Sequence, residues 1–161
     1  MKSFKIMKFR TMAELRDENG NYLPDEQRVT RFGSWLRASS LDELPELINI
    51  IKGDMSVIGP RPLPPAYDEY YTERELKRFN VRGGLVPPEV LHNNIQPTWD
   101  EQLEFEVLYA ENFSFKNDIK IIVTAFKGIF NRYEVDYGNY VRESLIEERE
   151  KVRNDSINTP T

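Results

Sequence analysis

The acidic pair Asp42-Glu43 is the part of this sequence whose residue types and spacing could do chemistry. Ser40 precedes the pair and apolar residues at helical spacing follow it, so the pair is predicted to stand at a helix start. A helix N-terminus carries about half a positive charge, which favours ionised carboxylates. An ionised aspartate can attack phosphorus. Because two carboxylates alone repel a phosphate, phosphate chemistry here predicts Mg²⁺ bound by Asp42 and Glu43.

Basic residues stand where they could grip the same phosphates. Arg37 precedes the pair, and Arg61 lies in the proline-rich loop 59–65. An arginine fork binds phosphate through two parallel hydrogen bonds. The first twelve residues carry only basic charges, including Lys8 and Arg10, which could contact phosphates or an anionic membrane surface. Glu43 also fits a capping box with Ser40, a wholly structural role, so spacing alone leaves both interpretations open.

Composition excludes several classes of function. The chain of 161 residues has no cysteine and one histidine, His92, so thiol chemistry and multi-histidine zinc sites are excluded. No apolar run approaches the roughly 18 residues of a membrane span, and no secretory signal opens the chain. The net charge of −5 argues against nucleic acid as a partner. For His92 we expect a surface or core role.

Patterning predicts many short elements. We expect an extended strand or hairpin arm over 3–12, a turn at 17–21, helices over 24–36 and 40–52, a short strand over 54–58, and a loop over 81–88. Further capping boxes pair Thr72 with Glu75 and Thr98 with Glu101. The result is a compact, helix-rich α/β domain of the α+β type, with a small sheet or hairpin and amphipathic interfacial helices.

The last strong helix is predicted over 117–132. The apolar residues Ile119, Ile122, Phe126, Ile129 and Phe130 share one face, and lysines 116, 120 and 127 form a stripe beside it. The apolar pattern alone favours a core position, whereas the adjacent lysines are typical of a helix lying in a membrane interface. After residue 143 the chain is charged, so we predict a domain over 1–142 and a charged helix end with a frayed tail over 143–161.

Three segments resemble the signature blocks of bacterial sugar transferases, the monotopic phosphoglycosyl transferases that act on polyprenyl phosphate. The blocks stand in the family's order and spacing, and the resemblance extends from Lys5 to about Arg132. They are Lys-Phe-Arg-Thr-Met at 8–12, Ser-Leu-Asp-Glu-Leu-Pro-Glu-Leu-Ile-Asn at 40–49, and Lys-Gly-Asp-Met-Ser-Val-Ile-Gly-Pro-Arg-Pro at 52–62.

This resemblance implies transfer of a phospho-sugar from a nucleotide diphosphate sugar, with uridine as the expected base, to polyprenyl phosphate. Asp42 would be the nucleophile and form a covalent phospho-sugar intermediate, and Glu43 would help bind Mg²⁺. Arg61 would contact a substrate phosphate, with Arg37, Lys8 and Arg10 as further substrate-binding candidates. The expected location is the cytoplasmic face of the bacterial inner membrane.

Two departures from the family pattern leave alternatives open. Family members usually carry a hydrophobic helix before the first block, so we expect that the chain is truncated at its N-terminus. The family pattern Val-Arg-Pro-Gly-Ile-Thr-Gly-Trp differs at Gly83 and Pro87, which puts the sugar specificity in question. The alternatives are an inactive, membrane-peripheral interaction fragment and a soluble Mg²⁺-dependent phosphoesterase that uses the same acidic pair.

Overall fold

The structure, a computed structural model, describes residues 3–92, 97–131 and 142–158, with the backbone alone for 129–131 and 156–158. The chain divides into two compact units, Lys2–Val57 and Ile58–Thr161. The predicted α+β class with a small sheet is confirmed. The assignment of 1–142 as the catalytic domain stays a prediction.

Helices dominate both units. The α-helices are α1 (Asp25–Arg28), α2 (Arg31–Ala38), α3 (Glu46–Ile51), α4 (Trp99–Glu111), α5 (Phe115–Asn131) and α6 (Leu145–Asn158). Short 3-10 helices cover Leu41–Glu43, Pro65–Tyr70, Glu75–Asn80 and Pro88–Leu91. The strands are β1 (Ser56–Ile58) and β2 (Gly84–Val86), which pair in parallel.

Strand β1 was predicted, but β2 lies inside the segment predicted to be a loop. Two glycines explain the difference, because the backbones of Gly59 and Gly84 approach too closely for side chains. A Cβ built on Gly84 would lie 2.1 Å from the nitrogen of Gly59, and one built on Gly59 would lie 2.2 Å from the carbonyl oxygen of Arg82. The glycines of 81–88 therefore permit strand pairing instead of marking a loop.

In the first unit, the predicted strand over 3–12 is not formed. Within the described residues, its strand-like pairing is an isolated bridge between Met12 and Val29. Side chains and turns supply the other backbone partners: Met7 N–H donates to Asn49 Oδ1 at 3.0 Å, and Phe9 N–H donates to the carbonyl of Asp42 at 2.9 Å. The segment is extended because α3 and the turn before it hold its backbone.

The helix predicted over 24–36 is two helices. Thr30 takes extended backbone angles and caps α2 by accepting a hydrogen bond from Gly33 N–H at 2.9 Å. Gly33 is required at its position because a Cβ there would lie 1.9 Å from the carbonyl oxygen of Thr11. The break therefore seats α2 directly against the Thr11 backbone.

The capping box predicted between Ser40 and Glu43 is wrong. Ser40 has φ of +55° and ψ of +17°, a left-handed conformation in which its side chain makes no capping hydrogen bond. Among the described residues, it is the one non-glycine with positive φ. The chain then forms the 3-10 turn Leu41–Glu43, and Pro45, which lacks an N–H, stands as the cap of a separate α3. The acidic pair thus occupies a turn between two helices.

The apolar stripe predicted for the helix over 40–52 is largely exposed. Leu44, Leu47 and Ile48 are about half exposed, and Ile51 is 84% exposed. The buried face of α3 instead carries the polar residues Glu46 and Asn49. This unit therefore leaves apolar area uncovered and buries polar groups.

In the second unit, α4 begins with the predicted capping box of Thr98 and Glu101, which is confirmed. The predicted box of Thr72 and Glu75 also forms, because Thr72 N–H donates to Glu75 Oε2 and Glu75 N–H donates to Thr72 Oγ1, but the element that follows is a 3-10 helix. Two apolar clusters form the core. One centres on Ile58, Tyr109 and Ile121, and the other centres on Trp99, Leu103 and Leu145.

The last two helices differ from the prediction at their ends. Helix α5 confirms the predicted amphipathic helix, but Arg132 and the side chains of Ile129 and Phe130 lie outside the described residues. Leu145 is fully buried and anchors α6, which is helical to Asn158 where fraying was expected. Residues 159–161 lie outside the described residues. Within the described ranges, no helix combines the length and the apolarity of a membrane span.

We predict that glycine is favoured over alanine at position 40. The left-handed conformation penalises a Cβ, so Ser40→Gly is expected to exceed Ser40→Ala in free energy of unfolding by about 1 kcal/mol. Chemical denaturation of both variants measures this difference, and the lost hydroxyl cancels between them. Ser39, at φ of −89°, is the matched control, and there alanine should be the more stable by about 0.5 kcal/mol. The same order at both positions would contradict the assigned backbone.

Candidate functional site

A lysine neutralises part of the acidic turn in the first unit. Lys8 Nζ lies 2.8 Å from Glu43 Oε1 and 3.1 Å from Glu46 Oε1. Glu46 is buried, and Glu43 and Lys8 are partly exposed. Burial acts to lower the pKa of Lys8, but the hydrogen bonds and negative charges of the two glutamates outweigh it and raise that pKa. Lys8 is therefore held as a cation beside the acidic pair.

The amide of Asn49 positions Lys8. Asn49 is 1% exposed, and its side chain accepts from Met7 N–H while donating from Nδ2 to the carbonyl of Lys5 at 2.9 Å. These are the bonds that a neighbouring strand would supply. A buried amide with both ends paired fixes the extended segment against α3.

Asp42 differs from its neighbour. Its side chain is half-buried, and among the described residues no cationic side chain forms an ion pair with it. Its backbone carbonyl holds Phe9 N–H, so the turn and the segment of Lys8 are joined at this residue. In the described residues, the charge of Glu43 is thus compensated by a cationic side chain, whereas the adjacent Asp42 forms no ion pair.

Two other predicted substrate-binding residues of this unit have structural partners. Arg37 Nε donates to the hydroxyl of buried Thr11 at 2.9 Å. Arg10 lies at the surface and pairs with Glu14 at 2.7 Å. Neither contact involves the acidic pair, although α2, which carries Arg37, packs against the turn 41–43.

The donor set fits a magnesium ion by its chemistry. Mg²⁺ prefers hard oxygen ligands, keeps several waters, and usually takes one or two carboxylates from the protein. Asp42 and Glu43 supply that number. In the part of the chain that the structure describes, no three histidine or acidic side chains gather as a ready metal cage. The predicted magnesium site stays a prediction.

Arg61 belongs to the second unit. Its side chain is exposed, but its backbone is held on both sides. Arg61 N–H donates to Glu106 Oε1 at 3.0 Å, and Arg78 Nη2 donates to the Arg61 carbonyl at 2.5 Å. Arg78 and Glu106 form an ion pair with side chains only 2% and 0% exposed.

Glu89 is a further titratable group of this unit. It lies in the 3-10 turn Pro88–Leu91, and its Oε2 atom is buried without a hydrogen-bond partner in the described chain. Burial, reinforced by the negative charge of Glu106, raises the pKa of Glu89 to about 7, although Arg61 and Arg78 oppose the shift. This carboxyl group therefore changes charge near neutral pH.

Sequence reasoning missed Asn49, Arg78, Glu106 and Glu89. Glu106 carried a usable signal, because it recurs with Leu103 and Val107 on the buried face of α4, where helical periodicity calls for an apolar residue. Glu89 stands within the otherwise apolar run 85–91. His92 stacks on Phe105 with ring centroids 3.7 Å apart, in agreement with the structural role expected for it.

We predict that Glu89 makes folding stability fall as pH rises from about 4.5 to 7. Its folded-state pKa exceeds the ordinary value, so in this window the native chain binds more protons than the unfolded chain. The resulting loss is at most about 3 kcal/mol and is complete above pH 7. Denaturation of wild type and Glu89→Gln at pH 5 and 8 measures it. The variant should lose this slope, and the exposed control Glu73→Gln should keep it. An unchanged slope in Glu89→Gln would refute the assignment.

Comparison with known proteins adds the family. Residues 1–132 match the family model described as bacterial sugar transferase. The chain is 39% identical over 140 residues to the uncharacterized sugar transferase EpsL of Bacillus subtilis (strain 168), an alignment covering 87% of this chain and 69% of that protein.

Longer relatives carry more specific names. The UDP-glucose:undecaprenyl-phosphate glucose-1-phosphate transferase of Escherichia coli (strain K12) is 33% identical over 142 residues, covering 81% of this chain and 31% of that protein. The exopolysaccharide production protein ExoY of Rhizobium meliloti (strain 1021) is 34% identical over 137 residues, covering 74% of this chain and 61% of that protein. The chain thus spans about a third to two thirds of the length of these relatives, and it belongs to the bacterial sugar transferase family.

Proposed function

We propose that this chain carries the catalytic residues of a phosphoglycosyl transferase, which moves a phospho-sugar from a UDP-sugar to polyprenyl phosphate. Relatives named as UDP-glucose:undecaprenyl-phosphate glucose-1-phosphate transferases support the donor and acceptor classes. A relative named as an exopolysaccharide production protein supports a role at the start of surface glycan assembly. The proposed location is the cytoplasmic face of the inner membrane.

The observation that carries the proposal is the difference between the two adjacent carboxylates. Glu43 is paired with Lys8, whereas Asp42 has no cationic partner among the described residues. An ion-paired carboxylate is a poor nucleophile, because attack would require separating the pair. The unpaired carboxylate of Asp42 is available to attack.

The reaction proceeds in two displacements. A carboxylate oxygen of Asp42 attacks the phosphorus that bears the sugar, the bond to the bridging oxygen breaks, and UMP leaves with that oxygen. The product is an acyl phosphate that joins Asp42 to the phospho-sugar. A phosphate oxygen of polyprenyl phosphate then attacks the same phosphorus, which regenerates the Asp42 carboxylate and yields polyprenyl diphosphate sugar.

The other proposed roles follow from charge. Arg61 contacts a substrate phosphate through its exposed guanidinium group. Lys8 holds Glu43 in place and offsets part of the local negative charge. Asp42 and Glu43 would hold Mg²⁺, which when bound would offset the negative charge of the diphosphate.

Helix α5 supports association with an anionic membrane surface. Its exposed side carries Phe115, Ile119, Val123 and Phe126, while Ile121 is buried in the core. Lys116, Lys120 and Lys127 are exposed on the same helix. Apolar side chains that enter the headgroup boundary, flanked by lysines that attract anionic lipids, are typical of interfacial helices.

We predict that Asp42→Asn abolishes transfer without unfolding the chain. An amide cannot form the acyl phosphate, so UMP release from UDP-glucose with undecaprenyl phosphate should fall about 1000-fold or more in the complete protein. The free energy of unfolding should change by no more than about 1 kcal/mol. Asp25→Asn, an exposed aspartate of α1, is the matched control and should retain full turnover.

The same assay separates the proposed transferase from the alternatives. A transferase forms lipid-linked diphosphate sugar only when undecaprenyl phosphate is present. Without the acceptor, a transferase releases at most one UMP per protein molecule, whereas a phosphoesterase releases UMP over many turnovers and forms no lipid product. An inactive fragment releases no UMP and forms no lipid product. Near-wild-type turnover in Asp42→Asn would remove Asp42 as the nucleophile.

We also predict that the 161-residue chain binds anionic vesicles in low salt through α5. Phe126→Ser combined with Lys120→Glu removes an apolar side chain and reverses a charge worth about 1 kcal/mol, so binding should weaken about tenfold or more. Vesicle flotation measures the bound fraction. Val152→Ser with Lys151→Glu changes exposed residues on α6 in the same way and should have little effect. Equal losses in both variants would contradict a specific role for α5.

A further inference from the structure

The backbone of Arg61 is bracketed by a single buried ion pair. Glu106 accepts its N–H through Oε1, and Arg78 donates to its carbonyl through Nη2. Arg78 Nε also donates to Glu106 Oε2 at 2.5 Å, which closes a ring of three hydrogen bonds around this one residue. The side chain of Arg61 itself stays exposed.

Neighbouring residues restrict Arg61 further. It stands between Pro60 and Pro62, and a residue before proline is confined to extended backbone. Gly84 N–H donates to the carbonyl of Pro60 at 3.0 Å, and a Cβ on Gly83 would lie 3.0 Å from Cγ of Pro62. The backbone is therefore fixed along the whole tripeptide, and with it the direction in which the Cα–Cβ bond of Arg61 points.

The ion pair is itself held by polar neighbours. Gln102 Nε2 donates to Glu106 Oε1 at 3.2 Å, and Arg78 Nη1 donates to the hydroxyl of Tyr71 at 3.3 Å. Burial raises the pKa of Tyr71 to about 12, so it stays a neutral hydroxyl at physiological pH. A buried ion pair is seldom more stable than apolar residues of similar volume, so stability alone does not account for its presence here.

We propose that Arg78 and Glu106 are positioning residues that fix the direction of the Arg61 side chain toward a substrate phosphate. This inference rests on the proposed function, in which Arg61 contacts that phosphate. Arg78 is suited to the task because its planar fork serves Glu106 and the Arg61 carbonyl at the same time. A lysine would keep the charge but not this geometry.

The first test measures how firmly Arg78 and Glu106 hold the Arg61 backbone, and it needs no substrate. Hydrogen exchange of the Arg61 amide should accelerate about tenfold or more in Arg78→Lys, and also in Glu106→Gln, which supplies a second variant if the first fails to fold. Arg74→Lys is the matched control, because Arg74 pairs with Glu104 between the same two segments but is exposed and does not contact Arg61. Equal exchange in Arg78→Lys and Arg74→Lys would overturn the proposal.

The second test measures whether Arg78 affects the reaction through the Arg61 side chain. In the complete protein, Arg78→Lys should lower kcat/KM for the UDP-sugar about tenfold or more, whereas in an Arg61→Ala background it should change kcat/KM less than about twofold. Equal losses in both backgrounds would mean a structural role only and would overturn the proposal. If Arg61→Ala alone has no kinetic effect while the exchange test still succeeds, Arg78 and Glu106 do hold the Arg61 backbone, but Arg61 does not contact a substrate phosphate. The positioning role then fails as well.

Discussion

The buried ion pair of Arg78 and Glu106 is the interaction on which the second unit depends. Each buried charge has lost its hydration and is compensated by the opposite charge of its partner. Removing one partner of such a pair typically lowers the free energy of unfolding by about 3–5 kcal/mol. The pair joins three parts of the chain: α4, the turn Glu75–Asn80 and the loop around Arg61. The irregular loop around Arg61 therefore has a fixed conformation.

In the first unit, a neutral side chain holds an irregular segment in place. The extended segment lacks a neighbouring strand, and the buried amide of Asn49 takes the place of one. The charged residue next in the segment, Lys8, is thereby set beside Glu43. In both units, a buried polar side chain hydrogen-bonds the backbone near an exposed or partly exposed cation. This arrangement ties the position of each cation to a buried residue that lies beside it.

Local signals predicted some elements and failed where distant parts of the chain decide. The box of Thr98 and Glu101 needs only residues of one turn, and the structure confirms it. The similar pattern at Ser40 forms no capping box, because Pro45 interrupts the helix and Glu43 forms an ion pair with Lys8, which is distant in sequence. Strand β2 was missed because its glycines serve a contact with Gly59 that no local pattern reveals. Residue type and spacing singled out the acidic pair as the candidate site, but they did not indicate the residues that hold Lys8 and the backbone of Arg61.

The central claim is that Asp42 becomes covalently linked to the phospho-sugar. Mass spectrometry of the complete protein, incubated with UDP-glucose in the absence of acceptor and digested at low pH, tests it most directly. We expect one hexose-phosphate adduct on the peptide that contains Asp42, and we expect undecaprenyl phosphate to discharge it. An adduct on another residue, or steady lipid-linked product with no adduct on Asp42 at any time, would contradict the account.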